Sequence, residues 1–404
     1  MKYTKEEARV KKQALTSLQV RAIPPVVKTT GISPTMSMKH IEEVQEWLAN
    51  NNLDIAYISD FHNIRYYTGF DSDPIERILA LFIFPDKDPF IFAPALEVGS
   101  VKESGWEYPV FGYLDHEDAF ALIKSHINAL AGNPKKWAVE KDNLTVAKSE
   151  AILRNFPEAK FVENISPFIN KQRSIKNEDE INLLLEAGKW ADYAFKVGFD
   201  ALSTNKTEQA VAAEIEYELK KKGVMHMSFD TIIQSGANAA DPHGAPKEDT
   251  IKPNELTLFD LGTVYKGYIS DASRTVAFGE IDDKLKDIYN VCLEAQLTAQ
   301  NAAKPGMTAE ELDKIARDVI TKAGYGEYFI HRLGHGMGQS EHEFPSIMEG
   351  NKMELVPGMC FSIEPGIYIP NYAGVRIEDC VYVTDNGVKP FTHTSKELQI
   401  ISLS

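Results

Sequence analysis

The chain has 404 residues, of which 43% are hydrophobic and 25% are charged, so it is long enough for two or three globular domains. Its formal net charge of −16 argues against a nucleic-acid partner and against an anionic membrane surface. The three cysteines, Cys292, Cys360 and Cys380, are too few for a disulfide scaffold and indicate a cytoplasmic protein. No apolar run approaches the roughly 18 residues of a membrane helix.

The first 37 residues differ in composition from the rest of the chain. They carry seven Lys or Arg and two Asp or Glu, and Lys2–Gln19 is predicted as a short basic helix. Pro24-Pro25 and Ser33-Pro34 indicate irregular linker, because proline removes a backbone donor. We interpret residues 1–37 as a basic N-terminal extension, whether a tag, a mis-set start or a linker.

Residues 38–166 show strands that alternate with helices, which predicts an α/β domain around a wrapped sheet. No motif in this part indicates chemistry, and the charged loop Asp71–Arg77 is interpreted as a solvated turn. The predicted elements are, in chain order, a helix over Ile41–Ala49, strands over Leu53–Ile58, Ile78–Phe84 and Pro89–Ala93, a helix over Glu117–Ala131 and a strand over Lys136–Val139.

Residues 167–404 combine long helices with β-hairpins and are predicted to form a second, α+β domain. Two helix starts carry capping boxes. In a capping box, the side chain of the N-cap residue accepts a hydrogen bond from the backbone N–H three positions on, and the side chain of that later residue accepts one from the backbone N–H of the N-cap residue. These pairs are Asn177 with Glu180 and Thr308 with Glu311.

Two predicted hairpins each carry a pair of carboxylates. A turn at Tyr265/Lys266 places Asp260 opposite Asp271, and a shift of one residue makes them diagonal neighbours on the same face. Glu364 and Glu378 are symmetric about a loop at residue 371 in the same way. One carboxylate alone is equally well explained as solvated, but two opposed pairs repel unless a cation lies between them.

A third segment places histidines among glycines. His331, His335 and His342 fall within twelve residues, and Gly334, Gly336 and Gly338 argue against a helix there. His243 lies in a loop with no obvious packing role. One histidine with four carboxylates is a hard, oxygen-rich ligand set, which suits two Mn²⁺, Co²⁺ or Zn²⁺ ions that activate a bridging water.

These residues, in their order and spacing, resemble the five metal ligands of the pita-bread metallopeptidases, which include methionine aminopeptidase, aminopeptidase P, prolidase and the metal-free creatinase. The resemblance extends from about Arg173 to Ile400. It implies an α/β creatinase-like N-terminal domain over 38–166, followed by an α+β pita-bread catalytic domain over 167–404. The five residues are Asp260, Asp271, His335, Glu364 and Glu378.

The resemblance also implies a role for each ligand. Asp260 chelates one metal, Asp271 and Glu378 bridge both metals, and His335 and Glu364 complete the second site. Glu364 is further implied to be the proton shuttle between the bridging water and the leaving nitrogen.

The same resemblance assigns residues around the metals. His243 and His342 are similar to the histidines that contact the substrate carbonyl and the tetrahedral intermediate, and His331 to a further pocket histidine. Arg376 is implied either to orient Asp271 or to bind a substrate carboxylate. Arg332 occupies a position where the family often has glycine, and we interpret it as a contact for a dipeptide's free carboxylate, as a partner of an acidic loop or as a surface charge.

The leading hypothesis is a prolidase that hydrolyses Xaa-Pro dipeptides with a metal-bridging hydroxide. The expected cofactors are two divalent ions per subunit, with Mn²⁺ ahead of Co²⁺ or Zn²⁺. The expected assembly is a homodimer. In two-domain relatives the N-terminal domain of one subunit can reach its partner's active site, and this role for the Asp71–Arg77 loop is the alternative to a solvated turn. The alternatives are aminopeptidase P acting on Xaa-Pro-Yaa peptides, a creatinase-type amidinohydrolase and an inactive binding module.

Overall fold

The first helix of the fold, α1, spans Pro34–Asn50, and Ser33 caps it by accepting a hydrogen bond from the Met36 N–H. The computed structural model describes residues 30–403, so the predicted basic helix over Lys2–Gln19 lies outside the described residues. The prediction of irregular linker at Ser33-Pro34 is wrong, because proline is well tolerated at the first position of a helix. The helix therefore begins four residues before the expected domain start at Met38.

The N-terminal part alternates helices and strands as predicted. Its other helices are α2 (Phe61–Thr68), α3 (Val98–Glu103), α4 (Ala119–Ala131), α5 (Val146–Asn155) and α6 (Ser166–Ser174). Its strands are β1 (Ile55–Ile58), β2 (Ala80–Ile83), β3 (Phe90–Pro94), β4 (Val110–Tyr113), β5 (Lys136–Val139) and β6 (Lys160–Asn164).

These six strands form one mixed sheet in the order β4-β3-β2-β1-β5-β6. Helices cover both faces, with Ile41 and Ile64 buried against one face and Ile123 and Ile152 against the other. Central strands buried on both faces appear in the sequence as continuous apolar runs, which is why they were predictable. The edge strands β4 and β6 are partly exposed, and their mixed sequences gave no such signal.

Helix α6 connects the two domains and packs with the first. Ile165 and Ile169 belong to the hydrophobic cluster under the N-terminal sheet, so this packing continues beyond the predicted division after residue 166. The second part then begins where Ile175 forms a bridge with Met359.

The C-terminal part contains long helices and short strands. Its helices are α7 (Glu178–Ala201), α8 (Glu208–Lys221), α9 (Asp283–Ala302) and α10 (Ala309–Lys322). Its strands are β7 (Ile232–Ser235), β8 (Glu255–Leu261), β9 (Val264–Tyr265), β10 (Tyr268–Ile269), β11 (Ala272–Phe278), β12 (Gly334–Gly336), β13 (Glu343–Ile347), β14 (Cys360–Ile363), β15 (Gly366–Ile369), β16 (Ala373–Arg376), β17 (Glu378–Val383), β18 (Val388–Pro390) and β19 (Ile400–Ile401).

A nine-stranded sheet forms the centre of this part, with β13-β12-β14-β17-β11-β8-β7 in order and β18 and β19 alongside. Helices α9 and α10 cover the β12–β17 side, where Ile288 and Ile320 pack with Phe361. Helices α7 and α8 cover the β7–β11 side, where Phe195 and Ile215 pack with Phe259. Both predicted capping boxes form, at the starts of α7 and α10. No helix within residues 30–403 is long and apolar enough to cross a membrane.

Candidate metal centre

The first hairpin places Asp260 and Asp271 on one face of the sheet. Asp260 pairs with Ser273 across β8 and β11, so Asp271 is its diagonal neighbour rather than its direct partner. The turn lies at Lys266-Gly267, where φ is 47° and 81°, as a two-residue hairpin turn requires. The turn predicted at Tyr265/Lys266 is wrong by one residue, and the diagonal alternative is the observed arrangement.

The second hairpin follows the predicted symmetry. Strands β14 and β17 pair Ile363 with Asp379, and the same register continued by one step places Glu364 opposite Glu378. Beyond them, β15 and β16 extend the hairpin to a loop at Asn371, whose φ is 59°.

His335 lies on β12, a strand rather than a helix, as its glycine neighbours predict. A Cβ atom at Gly334 would lie 1.8 Å from the carbonyl oxygen of Ser362, so only glycine lets β12 approach β14 this closely. The His335 Nε2 atom lies 3.1 Å from Glu364 Oε1 and 3.5 Å from Asp271 Oδ2. The sheet therefore brings the side chains of His335, Glu364 and Asp271 together at one point.

The cluster formed by the five predicted ligands fits divalent cations. Ligand atoms of Asp271, His335 and Glu378 all lie within 4.8 Å of one another. Asp260 Oδ1 and Glu378 Oε1 are buried and have no hydrogen-bond partner among the described residues. A buried carboxylate oxygen without a partner is unfavourable, and a bound cation supplies the missing contact.

Burial and mutual repulsion shift the pKa values of the clustered carboxylates. Burial, followed by the charges of neighbouring carboxylates, raises the pKa of Asp271 and of Glu378 well above the usual range. Burial also acts to raise the pKa of Glu364, but His335 outweighs it and holds that pKa at about 2. Burial lowers the pKa of His335, and Glu364 outweighs this effect in turn and holds it at about 9.

Two serine hydroxyls that the sequence did not indicate fix the carboxylates. Ser362 Oγ donates to Glu364 Oε1 at 2.8 Å, and Ser273 Oγ donates to Glu378 Oε2 at 2.7 Å. A serine within a strand gives no recognisable pattern in a sequence. These two serines are identified only by their hydrogen bonds to the carboxylates in the structure.

Arg376 is buried directly behind the cluster. Its Nη2 donates to Asp260 Oδ2 at 2.6 Å, its Nε to Ser273 Oγ at 3.0 Å and its Nη1 to the Tyr368 hydroxyl at 2.9 Å. Each nitrogen of the guanidinium is already engaged, and the orienting contact is with Asp260 rather than with Asp271.

The predicted histidines lie around the same cavity. His331 Nε2 accepts from the Tyr368 hydroxyl at 2.8 Å, and its Nδ1 donates to the Arg332 carbonyl oxygen at 2.7 Å. The His342 ring lies 4.0 Å from the His335 ring, centroid to centroid. His243 is exposed on a loop at the cavity wall.

The cavity has a volume of about 410 Å³ and contains every predicted site residue. Its lining also includes side chains that the sequence analysis missed: Phe229, Asp230, Ile232, Pro242 and Glu341. The loop Asp71–Arg77 does not line this cavity of its own subunit. Glu341 could have been found from its position next to His342, whereas the stretch around Asp230 has no periodicity.

A buried carboxylate fixes the loop that carries His243. Glu208, which is 1% exposed, accepts hydrogen bonds from Ser235 N at 2.6 Å and Asn238 Nδ2 at 3.1 Å with one oxygen. Its other oxygen accepts from Lys247 N at 2.9 Å. Both ends of the loop are therefore tied to the start of α8.

A second buried network fixes the segment that carries His342. Glu343 accepts from Arg173 Nη2 at 2.6 Å and from Lys176 Nζ at 3.0 Å. The backbone N–H groups of Gln339 and Ser340 also donate to Glu343, each at 3.0 Å. This network joins the end of α6 to the C-terminal part immediately beside His342.

Comparison with known proteins agrees with this geometry. Residues 182–385 match the model of metallopeptidase family M24, and residues 40–175 match the model of the creatinase/prolidase N-terminal domain. The chain is 56% identical over 365 residues to a Xaa-Pro dipeptidase of Lactobacillus helveticus, covering 90% of this chain and 99% of that protein. It is 55% identical over 363 residues to a Xaa-Pro dipeptidase of Lactobacillus delbrueckii subsp. lactis, with the same coverage.

Solved structures show the same architecture. The Xaa-Pro dipeptidase from Bacillus anthracis superposes with a TM-score of 0.84 at 35% identity and covers 90% of this chain and 99% of that chain. The prolidase from Thermococcus sibiricus superposes with a TM-score of 0.84 at 34% identity and covers 91% of this chain and 99% of that chain. The predicted two-domain fold is confirmed.

Proposed function

Because the chain belongs to metallopeptidase family M24 and carries a creatinase/prolidase N-terminal domain, we propose that it is a Xaa-Pro dipeptidase that works with two divalent metal ions. The observation that carries the proposal is the combination of 56% identity to a Xaa-Pro dipeptidase with five converging ligand side chains. An inactive binding module or a creatinase-type amidinohydrolase would not need this complete set.

The proposed ligands are Asp260, Asp271, His335, Glu364 and Glu378. Four carboxylates and one imidazole form a hard donor set that suits Mn²⁺, which is the proposed metal ahead of Co²⁺ or Zn²⁺. Metal ions held there would activate a water molecule and polarise the scissile carbonyl. The unpartnered oxygens of Asp260 and Glu378 support this assignment.

Glu364 is the proposed proton carrier. Its carboxylate lies in the cluster with Oε1 3.1 Å from His335 Nε2, where an ionised carboxylate is able to accept the proton of the attacking water. Ser362 and His335 both contact Oε1, which fixes the carboxylate. The proton would then pass to the proline nitrogen as the amide bond breaks, because the nitrogen leaves as an amine and not as an amide anion.

His342 and His243 are the proposed donors to the carbonyl oxygen as negative charge develops on it. Arg332 is the proposed contact for the carboxylate of a dipeptide, since its side chain lines the cavity and, among the described residues, only its Nη atoms have hydrogen-bond partners, in Ser346 and His342. All three guanidinium nitrogens of Arg376 are engaged, with Asp260, Ser273 and Tyr368. His331 is tied to Tyr368 and supports the same wall.

The location and assembly complete the proposal. Cys292, Cys360 and Cys380 are all free and buried, as expected in a reducing cytoplasm. A homodimer is proposed because Ile75, which is 83% exposed on the Asp71–Arg77 loop, gives that loop an apolar tip that a partner subunit would cover.

The test is hydrolysis of Leu-Pro, Leu-Pro-Gly and Leu-Gly by the purified full chain with Mn²⁺. The proposal predicts the highest kcat/KM for Leu-Pro and little activity on Leu-Gly. A preference for Leu-Pro-Gly would favour aminopeptidase P instead, and the absence of hydrolysis of either proline peptide would contradict both functions.

A further inference from the structure

One wall of the catalytic cavity carries two negatively charged side chains that have no role in the proposed hydrolysis. Asp230 and Glu341 line this wall beside Phe229 and Ile232. Asp230 lies two residues before β7, and Glu341 directly precedes His342. The two carboxylates come from distant parts of the sequence and meet only in the folded cavity.

Neither carboxylate has a partner among the residues that the structure describes. Within residues 30–403, Asp230 and Glu341 form no hydrogen bond and no ion pair. The two arginines of the cavity, Arg332 and Arg376, make their hydrogen bonds with other side chains. The negative charge of this wall is thus left for a ligand.

Electrostatic coupling shows that the two carboxylates act on the same space. Burial raises the pKa of Glu341, the charge of Asp230 raises it further, and the net shift is upward. The two carboxylates therefore lie close enough for each to be affected by the other's charge.

We propose that Asp230 and Glu341 select dipeptides whose first residue is Lys or Arg, an inference that rests on the proposed dipeptidase function. Phe229 and Ile232 would pack against the methylene stem, and the two carboxylates would contact the charged end. The α-ammonium group is only two bonds from the scissile carbonyl, so it stays next to the metal ligands. A carboxylate pair outside the ligand set suits a longer cationic group.

The test compares Lys-Pro with norleucine-Pro, which has a similar stem and no charge. The readout is the ratio of their kcat/KM values in wild type, Glu341→Gln and Asp230→Asn, at low and high salt. The ratio should favour Lys-Pro in wild type and fall about fivefold in each variant, because a partly exposed charge pair has about this effect. High salt should reduce the wild-type preference.

Glu349→Gln serves as the matched control, because Glu349 is exposed and lies outside the cavity. An unchanged ratio in both cavity variants, or an equal loss for both substrates, would overturn the selection of cationic residues. An equal loss would instead indicate a contact with the α-ammonium of every dipeptide. If wild type hydrolyses neither dipeptide, the proposed function itself fails, which the Leu-Pro assay shows separately.

Discussion

The Nη2 atom of Arg332 lies 3.3 Å from the Nδ1 atom of His342. Arginine can only donate, so Nδ1 accepts and the ring proton resides on Nε2. Burial, His335 and Arg332 lower the pKa of His342 to about 4, which keeps the ring neutral at neutral pH. His342 is therefore a neutral ring whose Nε2–H is free of the contact with Arg332, which suits the proposed donation to a developing oxyanion.

His342→Ala is expected to lower kcat by about 100-fold to 1,000-fold, the usual effect of removing one oxyanion donor. Metal content should stay at the wild-type value, because His342 is not among the proposed ligands. His116→Ala, at an exposed histidine of the first domain, is the matched control. Parallel loss of metal and activity would make His342 a ligand or a structural residue instead.

Arg332→Gln is expected to penalise dipeptides more than tripeptides. A charge-assisted contact with a carboxylate contributes about 1.5–3 kcal/mol, or roughly one to two decades in kcat/KM. The measurement is the ratio of kcat/KM for Leu-Pro to that for Leu-Pro-Gly. If the ratio does not change, Arg332 does not bind the substrate carboxylate. Its role is then limited to the hydrogen bond that it donates to His342.

Glu343→Gln is expected to destabilise the fold by about 3–5 kcal/mol at pH 7, because it removes the partner of two buried cations. Arg173 and Lys176 lower the pKa of Glu343 to about 2 against the effect of burial. The stabilisation is therefore present above the ordinary carboxyl pKa and is lost as pH falls towards 2.

The measurement is the free energy of unfolding of wild type and Glu343→Gln between pH 7 and pH 2. The difference between the two proteins should be greatest at pH 7 and shrink in acid. Glu150→Gln, at an exposed carboxylate, should show no such difference. A difference that does not depend on pH would contradict the assigned ion pairs.

Much of the site was predictable because hairpin symmetry is visible in a sequence. Residues equidistant from a turn share a face, so Glu364 and Glu378 could be paired from their spacing alone. For Asp260 and Asp271 the same argument left two registers open, since the position of a two-residue turn depends on the positive φ values at Lys266-Gly267.

Long-range contacts were not predictable. The sequence shows no relation between Arg173 and Glu343, which are 170 residues apart and meet where the two domains pack. Asp230 and Glu341 have no shared pattern either. The start of α1 was missed for a different reason, because a proline at the first helical position has the same local signal as a linker proline.

Glu208→Gln is expected to lower activity through the His243 loop. The substitution turns one acceptor oxygen into a donor facing the Lys247 N–H, which costs about 1–3 kcal/mol for an unsatisfied buried group. In a double-mutant cycle on kcat/KM, Glu208→Gln and His243→Ala should be less than additive. Full additivity would show that Glu208 acts on stability alone.

The central claim is that two metal ions held by the five ligands are required for hydrolysis of Xaa-Pro dipeptides. The most direct measurement is titration of the chelated, metal-free protein with Mn²⁺, with bound metal and Leu-Pro hydrolysis followed together. We predict no activity without metal, full activity at two ions per chain and no recovery in Asp271→Asn. Leu-Pro hydrolysis by the metal-free wild type, or by Asp271→Asn at the wild-type rate, would contradict the account.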